Sequence, residues 1–461
     1  MITANIRWDG SSNFADKHRW GVFPSVSGGW NFREESFIKD VVGDWFSQGK
    51  FRAAWGEIGN QNISSGAYLT RYGNSTYYLL GNSMTPWLSG GRTNVGNPDL
   101  RWETTRQLDF GLDLAFFNSA LKFNIDYFDR KTSDMLVQVP MPAAIGLPNT
   151  PWSNAGSVKN RGFEFVLDYH GKIGNDFSYN IAGNISTYKN KVLSLGGGTN
   201  IPGKTHLGNQ VNTMIEPGKP IGYFYGYKMD GVFQTQEEIN NYRGGPDNTI
   251  IMPTAEPGDL KFVDLNGDGK LGEEDRTMIG NPHPDLTGGF NISLTWRDFD
   301  LSTYMYYSIG NDLYKHYEYY TMFGNLQSNY SKDRLAKSWD PVNNPNGIYP
   351  LWTTTSTEGP EAGNESNSNY VQDGSYLRMQ TLTLGYSLPK KLLKKIGFEK
   401  IRVYGQISNV FTITGYDGLD PEVRSHTSFE NEYVSSDMNK GIDYGSYGMP
   451  RQFLMGVNVT F

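Results

Sequence analysis

The sequence predicts an all-β fold, a transmembrane antiparallel barrel of the outer-membrane kind. Three observations carry that prediction. Segments of about ten residues alternate apolar and polar side chains along most of the 461-residue chain. The connections between them alternate between short and long. The chain also closes on such a segment, with Phe453, Met455, Val457, Val459 and Phe461 on one parity and Leu454, Gly456, Asn458 and Thr460 on the other. A frayed terminus in water has nothing to bury a last Phe against, whereas a barrel strand must pair and shows one face to lipid. No run of about eighteen apolar residues occurs, so membrane helices are excluded. A mean hydropathy of −0.53 still fits a barrel, because every second strand residue faces a wet or protein-filled interior.

From the N-terminus, Met1-Ile-Thr-Ala-Asn-Ile-Arg-Trp8 has neither the basic region nor the apolar core of an export signal and reads as the middle of a strand. A compact link spans 34–50. Leu108, Phe110, Leu112, Leu114 and Phe116 then alternate with Gln107, Asp109, Gly111, Asp113 and Ala115. Leu121, Phe123, Ile125 and Tyr127 follow, and then Phe163, Phe165, Leu167 and Tyr169, where Val166 is the exception on the polar parity. Phe177, Tyr179, Ile181 and Ile185 make the next segment, followed by Phe290, Ile292, Leu294 and Trp296, and by Phe299, Leu301, Met305 and Tyr307. Tyr376–Leu388 alternates less cleanly, which predicts a bulge. Ile401, Val403 and Ile407 lead to the final strand.

Short turns are expected at 117–120, 171–176 and 297–298, and a basic helical turn, Lys390-Lys391-Leu392-Leu393-Lys394-Lys395, within 389–400. Long connections are expected at 60–101, 134–155, 190–285, 310–370 and 414–448. Short turns at one rim and long loops at the other place the periplasm on one side and the exterior on the other. Counting back from Phe461 gives about twelve spanning strands.

The one sharp chemical motif is Asp264-Leu-Asn266-Gly-Asp268-Gly269-Lys270-Leu-Gly-Glu-Glu-Asp275. Oxygen ligands at positions 1, 3 and 5, a glycine at 6, a backbone carbonyl at 7 and a carboxylate at 12 follow the Ca²⁺-loop plan. Asp275 in place of Glu shortens the last arm and resembles dockerin-type loops. Asp264, Asn266, Asp268, Lys270 (through its carbonyl) and Asp275 are therefore the candidate ligands of a structural Ca²⁺. The competing reading is an Asx-rich turn that holds no metal. Tyr223, Tyr225, Tyr317, Tyr319 and Trp352 are candidate substrate contacts, since loop aromatics beside Asn and Asp suit sugars or peptides. For any one of them, loop-on-loop packing is the competing role. The six histidines are scattered and no nucleophile elbow or P-loop stands out, so no enzyme is predicted. A net charge of −7 without a basic patch argues against nucleic acid, and the absence of Cys removes disulfides and thiolate metal sites.

Several phrases are similar to one family. Trp8-Asp9-Gly10-Ser11-Ser12, Arg19-Trp20-Gly21-Val22-Phe23-Pro24-Ser25, Gly59-Asn60-Gln61, Asn97-Pro98-Asp99-Leu100-Arg101-Trp102-Glu103 and Tyr127-Phe128-Asp129-Arg130-Lys131-Thr132-Ser133-Asp134 resemble SusC/RagA-like TonB-dependent transporters of Bacteroidetes. Pro220-Ile221-Gly222-Tyr223-Phe224-Tyr225-Gly226, Gly258-Asp259-Leu260-Lys261-Phe262 and Ser408-Asn409-Val410-Phe411 extend the resemblance over the whole chain. It implies an outer-membrane, plugged barrel of about 22 strands, of which residues 1–461 correspond to the C-terminal twelve without plug or TonB box. It also implies import of oligosaccharides or peptides, energy from TonB and a SusD-like surface lipoprotein as lid. A siderophore or cobalamin receptor, a stand-alone outer-membrane enzyme or adhesin, and a soluble β-rich carbohydrate-binding protein stay open as alternatives. The soluble alternative predicts that Phe110, Phe290 and Trp296 are buried against a second sheet.

Overall fold

A computed structural model describes residues 1–80, 85–138, 151–196, 200–204, 211–323, 329–351, 365–423, 428–429, 432–433 and 438–461. Its main sheet has twelve strands in unbroken sequence order. They are β1 Ile2–Gly10, β2 Trp20–Trp30, β3 Phe46–Asn60, β4 Glu103–Phe116, β5 Leu121–Ser133, β6 Ser157–Ile173, β7 Phe177–Ser194, β8 Leu286–Trp296, β9 Phe299–Ile309, β10 Tyr376–Ser387, β11 Lys400–Thr414 and β12 Gln452–Thr460. Neighbouring strands pair antiparallel, as in β4–β5 (Phe110↔Tyr127) and β11–β12 (Val403↔Val457). The expected count of about twelve strands and the expected topology both hold.

Turn chemistry fixes the hairpins. Phe117, Asn118 and Ser119 all adopt positive φ between β4 and β5, and Arg297 does so in the two-residue turn between β8 and β9. The register of β10 shifts at Met379/Thr381 against β11, which is the bulge that its broken alternation predicts. The basic turn forms the helix Lys390–Ile396, stopped by Gly397 at φ +77°.

The apolar parity is not buried. Phe110 is 38% exposed and Trp296 55% exposed, and Phe163, Leu167, Ile181, Ile185, Phe299, Val403 and Val457 share that exposure. Among the described residues no second sheet covers Phe110 or Trp296, so the soluble sandwich expectation fails at these two of its three test residues, while Phe290 is half-buried. A row of bare aromatic and aliphatic side chains along successive strands is the surface that a lipid-facing barrel wall presents.

The chain divides into two compact units, one built mainly from residues 1–201 and the other mainly from 220–289 and 295–461. In the first, the connections around β1–β5 bury Phe14, Phe23, Ile63, Ala67, Leu100 and Trp102 together. Trp102 fixes this cluster by donating its indole N–H to the Arg19 carbonyl at 3.1 Å. In the second, a four-stranded sheet forms from Ile201–Lys204, Val211–Ile215, Tyr223–Tyr227 and Arg276–Gly280. Beside it Tyr227, Val232, Phe233, Ile239, Ile251, Met252, Leu260, Phe262 and Trp339 make a core of their own. The connection after β7 is thus a folded layer, which alternation in the sequence did not announce.

Candidate functional site

The polar parity of the strands forms one wall of the candidate site. Asp113, Asn124, Asp126, Glu164 and Asp168 lie on it, paired in register across β4, β5 and β6. Arg52 of β3 makes two 2.8 Å bonds to Asp113 and a further 2.8 Å bond to Asp126 on β5, two strands away. It reaches that far by crossing Gly111 of β4, where an added Cβ would stand 2.4 Å from the Asp126 carboxylate. The same arrangement recurs around β10. Arg402 of β11 holds Asp300 of β9 through bonds of 2.8 and 2.5 Å. The intervening residue is Gly385, whose Cβ would lie 2.5 Å from both groups. Each glycine therefore makes room for a charge pair that ties three strands together on the polar side. The sequence signal was a glycine on an otherwise polar parity, and the ion pairs themselves were not legible.

On the apolar parity, charge pairs occur towards the long-loop ends. Arg106 meets Glu57 at 2.5 Å and Lys159 meets Asp129 at 2.7 Å. These pairs mark where the apolar band stops. A groove of about 530 Å³ opens on the first strands, lined by Asn5, Arg7, Asp9, Ser25, Glu57 and Asp109 among others.

Within the second unit, the long connections carry buried polar clusters of their own. Within 310–375 and 415–451, buried Lys315 pairs with Glu318 and, at 3.0 Å, with Asp417, while Tyr349 donates to Glu318 at 2.9 Å. Burial pushes the Glu318 carboxyl up, and the Lys315 ammonium offsets this only in part. Burial would raise Asp417 as well, but its bonds to Lys315 and Gln372 and the nearby Lys337 hold it below its usual range. Arg378 of β10 is buried and binds Asp420 and, at 2.8 Å, Glu422, which fastens the last connection to the wall. His283 donates from Nε2 to the Ile221 carbonyl at 2.8 Å, and its Nδ1 lies 3.3 Å from the Lys440 ammonium. Burial and that neighbouring charge push the imidazole down to about 4. None of these groups stood out in the sequence, because apart from Lys315–Glu318, three residues apart, the pairs join residues far apart in the chain.

The Asp264–Asp275 segment folds as a tight, amide-lined loop. Gly267 and Gly269, both at positive φ, donate to Asp264 at 2.7 and 2.8 Å. Asp268 donates its backbone N–H to Asn266 at 2.8 Å, and Lys270 donates to Asp268 at 2.9 Å. Asp275 is fully buried and receives the backbone N–H groups of Leu265 and Gly272, each at 2.8 Å. Positions 1 and 12 of the motif thus close the loop on themselves. Among the described residues, no three carboxylates or histidines converge as a metal cage.

The aromatic candidates separate. Tyr223 is 1% exposed and packs edge-on to Tyr225 at 6.4 Å, so its ring is not open to a ligand, which corrects the expectation for this residue. Neighbouring Phe224 and Tyr227 are buried too, because this strand lies inside the four-stranded layer. Tyr225, Tyr317 and Tyr319 are half-buried. Tyr319 stacks parallel on His316 at 6.0 Å, at the start of a single π-helical turn, Tyr319–Phe323. Trp352 lies outside the described residues.

Comparison with known proteins agrees with this geometry. The profile of the family described as TonB dependent receptor-like, beta-barrel, matches residues 1–410. The chain is 34% identical over its whole length to TonB-dependent receptor P3 of Formosa agariphila, covering 44% of that protein. It is 30% identical over its whole length to TonB-dependent receptor SusC of Bacteroides thetaiotaomicron, covering 42% of it. It thus spans less than half the length of these curated relatives. The fold matches that of the RagAB peptide transporter with a TM-score of 0.79 at 24% identity, over 100% of this chain and 45% of that one. The bare apolar band and the polar opposite face are what an outer-membrane wall requires, and the chain belongs to the outer-membrane TonB-dependent receptor β-barrel family.

Proposed function

We propose that this chain forms the membrane wall and outward loops of an importer of oligosaccharides or peptides, energised through TonB and working beneath a SusD-like surface lipoprotein. The observation that carries the reading is similarity over the whole chain to TonB-dependent receptors, SusC among them. The polar face supports it physically: charges paired across strands, such as Arg52–Asp113 and Arg402–Asp300, give that face a hydrophilic surface. We place the long connections outside the cell and the short turns in the periplasm, following the usual asymmetry of such barrels. Among the described candidates Tyr225, Tyr317 and Tyr319 would meet the substrate, and Trp352 stays a candidate with them. The role is binding and passage, with no covalent step.

The same reading takes Asp264–Asp275 as a structural Ca²⁺ loop. Asp264, Asn266, Asp268, the Lys270 carbonyl and Asp275 would supply its oxygens. Each oxygen of Asp264 accepts one amide and keeps a second lone pair for a cation, whereas at Asp275 only Oδ2 does, since Oδ1 already accepts from Leu265 and Asn266. The ion would brace the loop against the short hairpin of Arg243–Gly244 and Thr249–Ile250, where the Thr249 hydroxyl donates to the Gly269 carbonyl at 2.9 Å.

Tagging this chain within its receptor and purifying it from native outer membranes tests the main proposal. The expected result is co-purification of a lipid-anchored SusD-like protein, with loss of growth on one class of oligosaccharide or peptide after deletion. A receptor that purifies alone, in cells whose growth on all such nutrients is unchanged by deletion, overturns it.

A further inference from the structure

We propose that the segment Pro389–Lys400 is a contact site for the headgroups of anionic phospholipid. Twelve residues here hold five lysines, Lys390, Lys391, Lys394, Lys395 and Lys400, against one acid, Glu399, in a chain whose net charge is −7. The other short connections carry no such excess. Residues 117–120 contain no lysine, 171–176 sets Lys172 against Asp176, and 31–45 sets Arg33 and Lys39 against Glu34, Glu35, Asp40 and Asp44. The positive charge is therefore local to one turn.

The segment is held rigidly. Its helix, Lys390–Ile396, lies between β10 and β11 and is anchored by buried Leu393. On its entering side Ser387 donates to the Asp298 carbonyl and Leu388 to the Ile401 carbonyl, each at 2.8 Å. On its leaving side Glu399 donates to the Thr460 carbonyl of β12 at 2.9 Å. Lys390, Lys391 and Lys400 are exposed, and so are two apolar neighbours, Leu392 and Phe398. Trp296, Phe299 and Phe461 are exposed at the same strand ends.

Lysines beside exposed apolar side chains, at the limit of a lipid-facing band, match the headgroup level of a bilayer, where apolar groups enter the acyl region and ammonium groups meet phosphate. An acidic protein would also attract the lysines. Lipid is favoured because Leu392 and Phe398 continue the band that already faces lipid. The lipid is assigned to the periplasmic leaflet, which rests on the reading that the short turns face the periplasm. Each lysine close to an anionic surface contributes roughly a fivefold preference, screened over about 8 Å at physiological salt.

The test uses the full chain within its receptor, reconstituted in bilayers that contain spin-labelled phosphatidylglycerol or spin-labelled phosphatidylcholine. The expected result is a preference of roughly threefold or more for immobilised phosphatidylglycerol at low salt, falling towards unity at high salt. K390Q/K391Q/K394Q/K395Q should lose the preference, and the four-arginine counterpart should keep it. No preference in the unmodified protein, a salt-insensitive one, or equal preference in the glutamine variant overturns the proposal. The rim assignment is checked apart from this. Since the chain has no Cys, Ser119→Cys labelled by an impermeant maleimide in intact cells would refute the periplasmic placement while leaving the lipid contact standing.

Discussion

Phe110 and Phe262 are both strand phenylalanines of one chain, in opposite surroundings. Phe110 lies in the middle of β4, 38% exposed, stacked on Phe51 of β3 at 6.4 Å. Phe262 is fully buried, packed against Tyr227 at 5.5 Å within a core shared with Phe233, Leu260 and Trp339. The wall turns its apolar side chains outward and its charges to the other face, while the layer after β7 buries its apolar side chains as any water-soluble domain does. The difference teaches that this chain folds against two solvents. Hydrophobic burial organises the loops, whereas in the wall the strand ladders and cross-strand ion pairs hold what lipid leaves uncovered.

Substitutions can break this comparison in either region. Phe262→Ala should cost about 3–5 kcal/mol, the range for a buried aromatic. The loss should appear as faster proteolysis within 220–285, with the heat-modifiable gel shift of the assembled barrel unchanged. If the barrel itself fails to assemble, the loop layer is not an independent core.

Phe110→Arg should cost about 2–4 kcal/mol of membrane folding stability, since it places a charge in the lipid-facing band. Denaturant titration in vesicles measures it. A neutral outcome would mean that this face does not meet lipid.

His283 sharpens the comparison through pH. Its folded-state pKa of about 4 lies below the ordinary value of 6.5, so the unfolded loop binds the proton more readily. Its contribution is therefore fully present above pH 6.5 and is lost as pH falls towards 4, about 3 kcal/mol in all. Hydrogen exchange around Ile221 should accelerate over that window, and His283→Gln should flatten the dependence.

Asp264→Ala and Asp268→Ala should abolish Ca²⁺-dependent protection of the 190–285 connection from protease. Identical cleavage of the unmodified chain with and without chelator would remove calcium from the account. The smallest effect is expected at the polar wall. Gly111→Ala should push Arg52 off Asp126, costing no more than about 1 kcal/mol because the pair is half exposed.

Much of the wall was legible because barrel strands obey a local rule. Alternation at Leu108–Phe116 and Phe177–Ile185 locates β4 and β7, and its failure near Gln380 locates the bulge of β10. The loop layer was illegible for the opposite reason. Trp339 joins a core built around Phe233 and Phe262 and donates to Gln234 at 2.8 Å, a pairing of residues 105 apart that no window of sequence contains. Tyr223 shows the same limit at the site. Its aromatic setting suggested a ligand contact, and only the strand beside it shows that the ring is already used for packing. The spacing of the Asp264 loop was legible, and its amide bonds follow the spacing, whereas the long-range pairs of Lys315 and Arg378 left no local trace.

The most direct test of two solvents for one chain is a cysteine scan of β4. Single cysteines at 107–114, in a chain that otherwise has none, are labelled with an environment-sensitive fluorophore in reconstituted membranes containing a lipid-borne quencher. The account predicts emission and quenching that alternate with a period of two, strong at 108, 110, 112 and 114 and weak at 107, 109, 111 and 113. Quenching that is uniform along the strand, or strong on the polar parity, would contradict it.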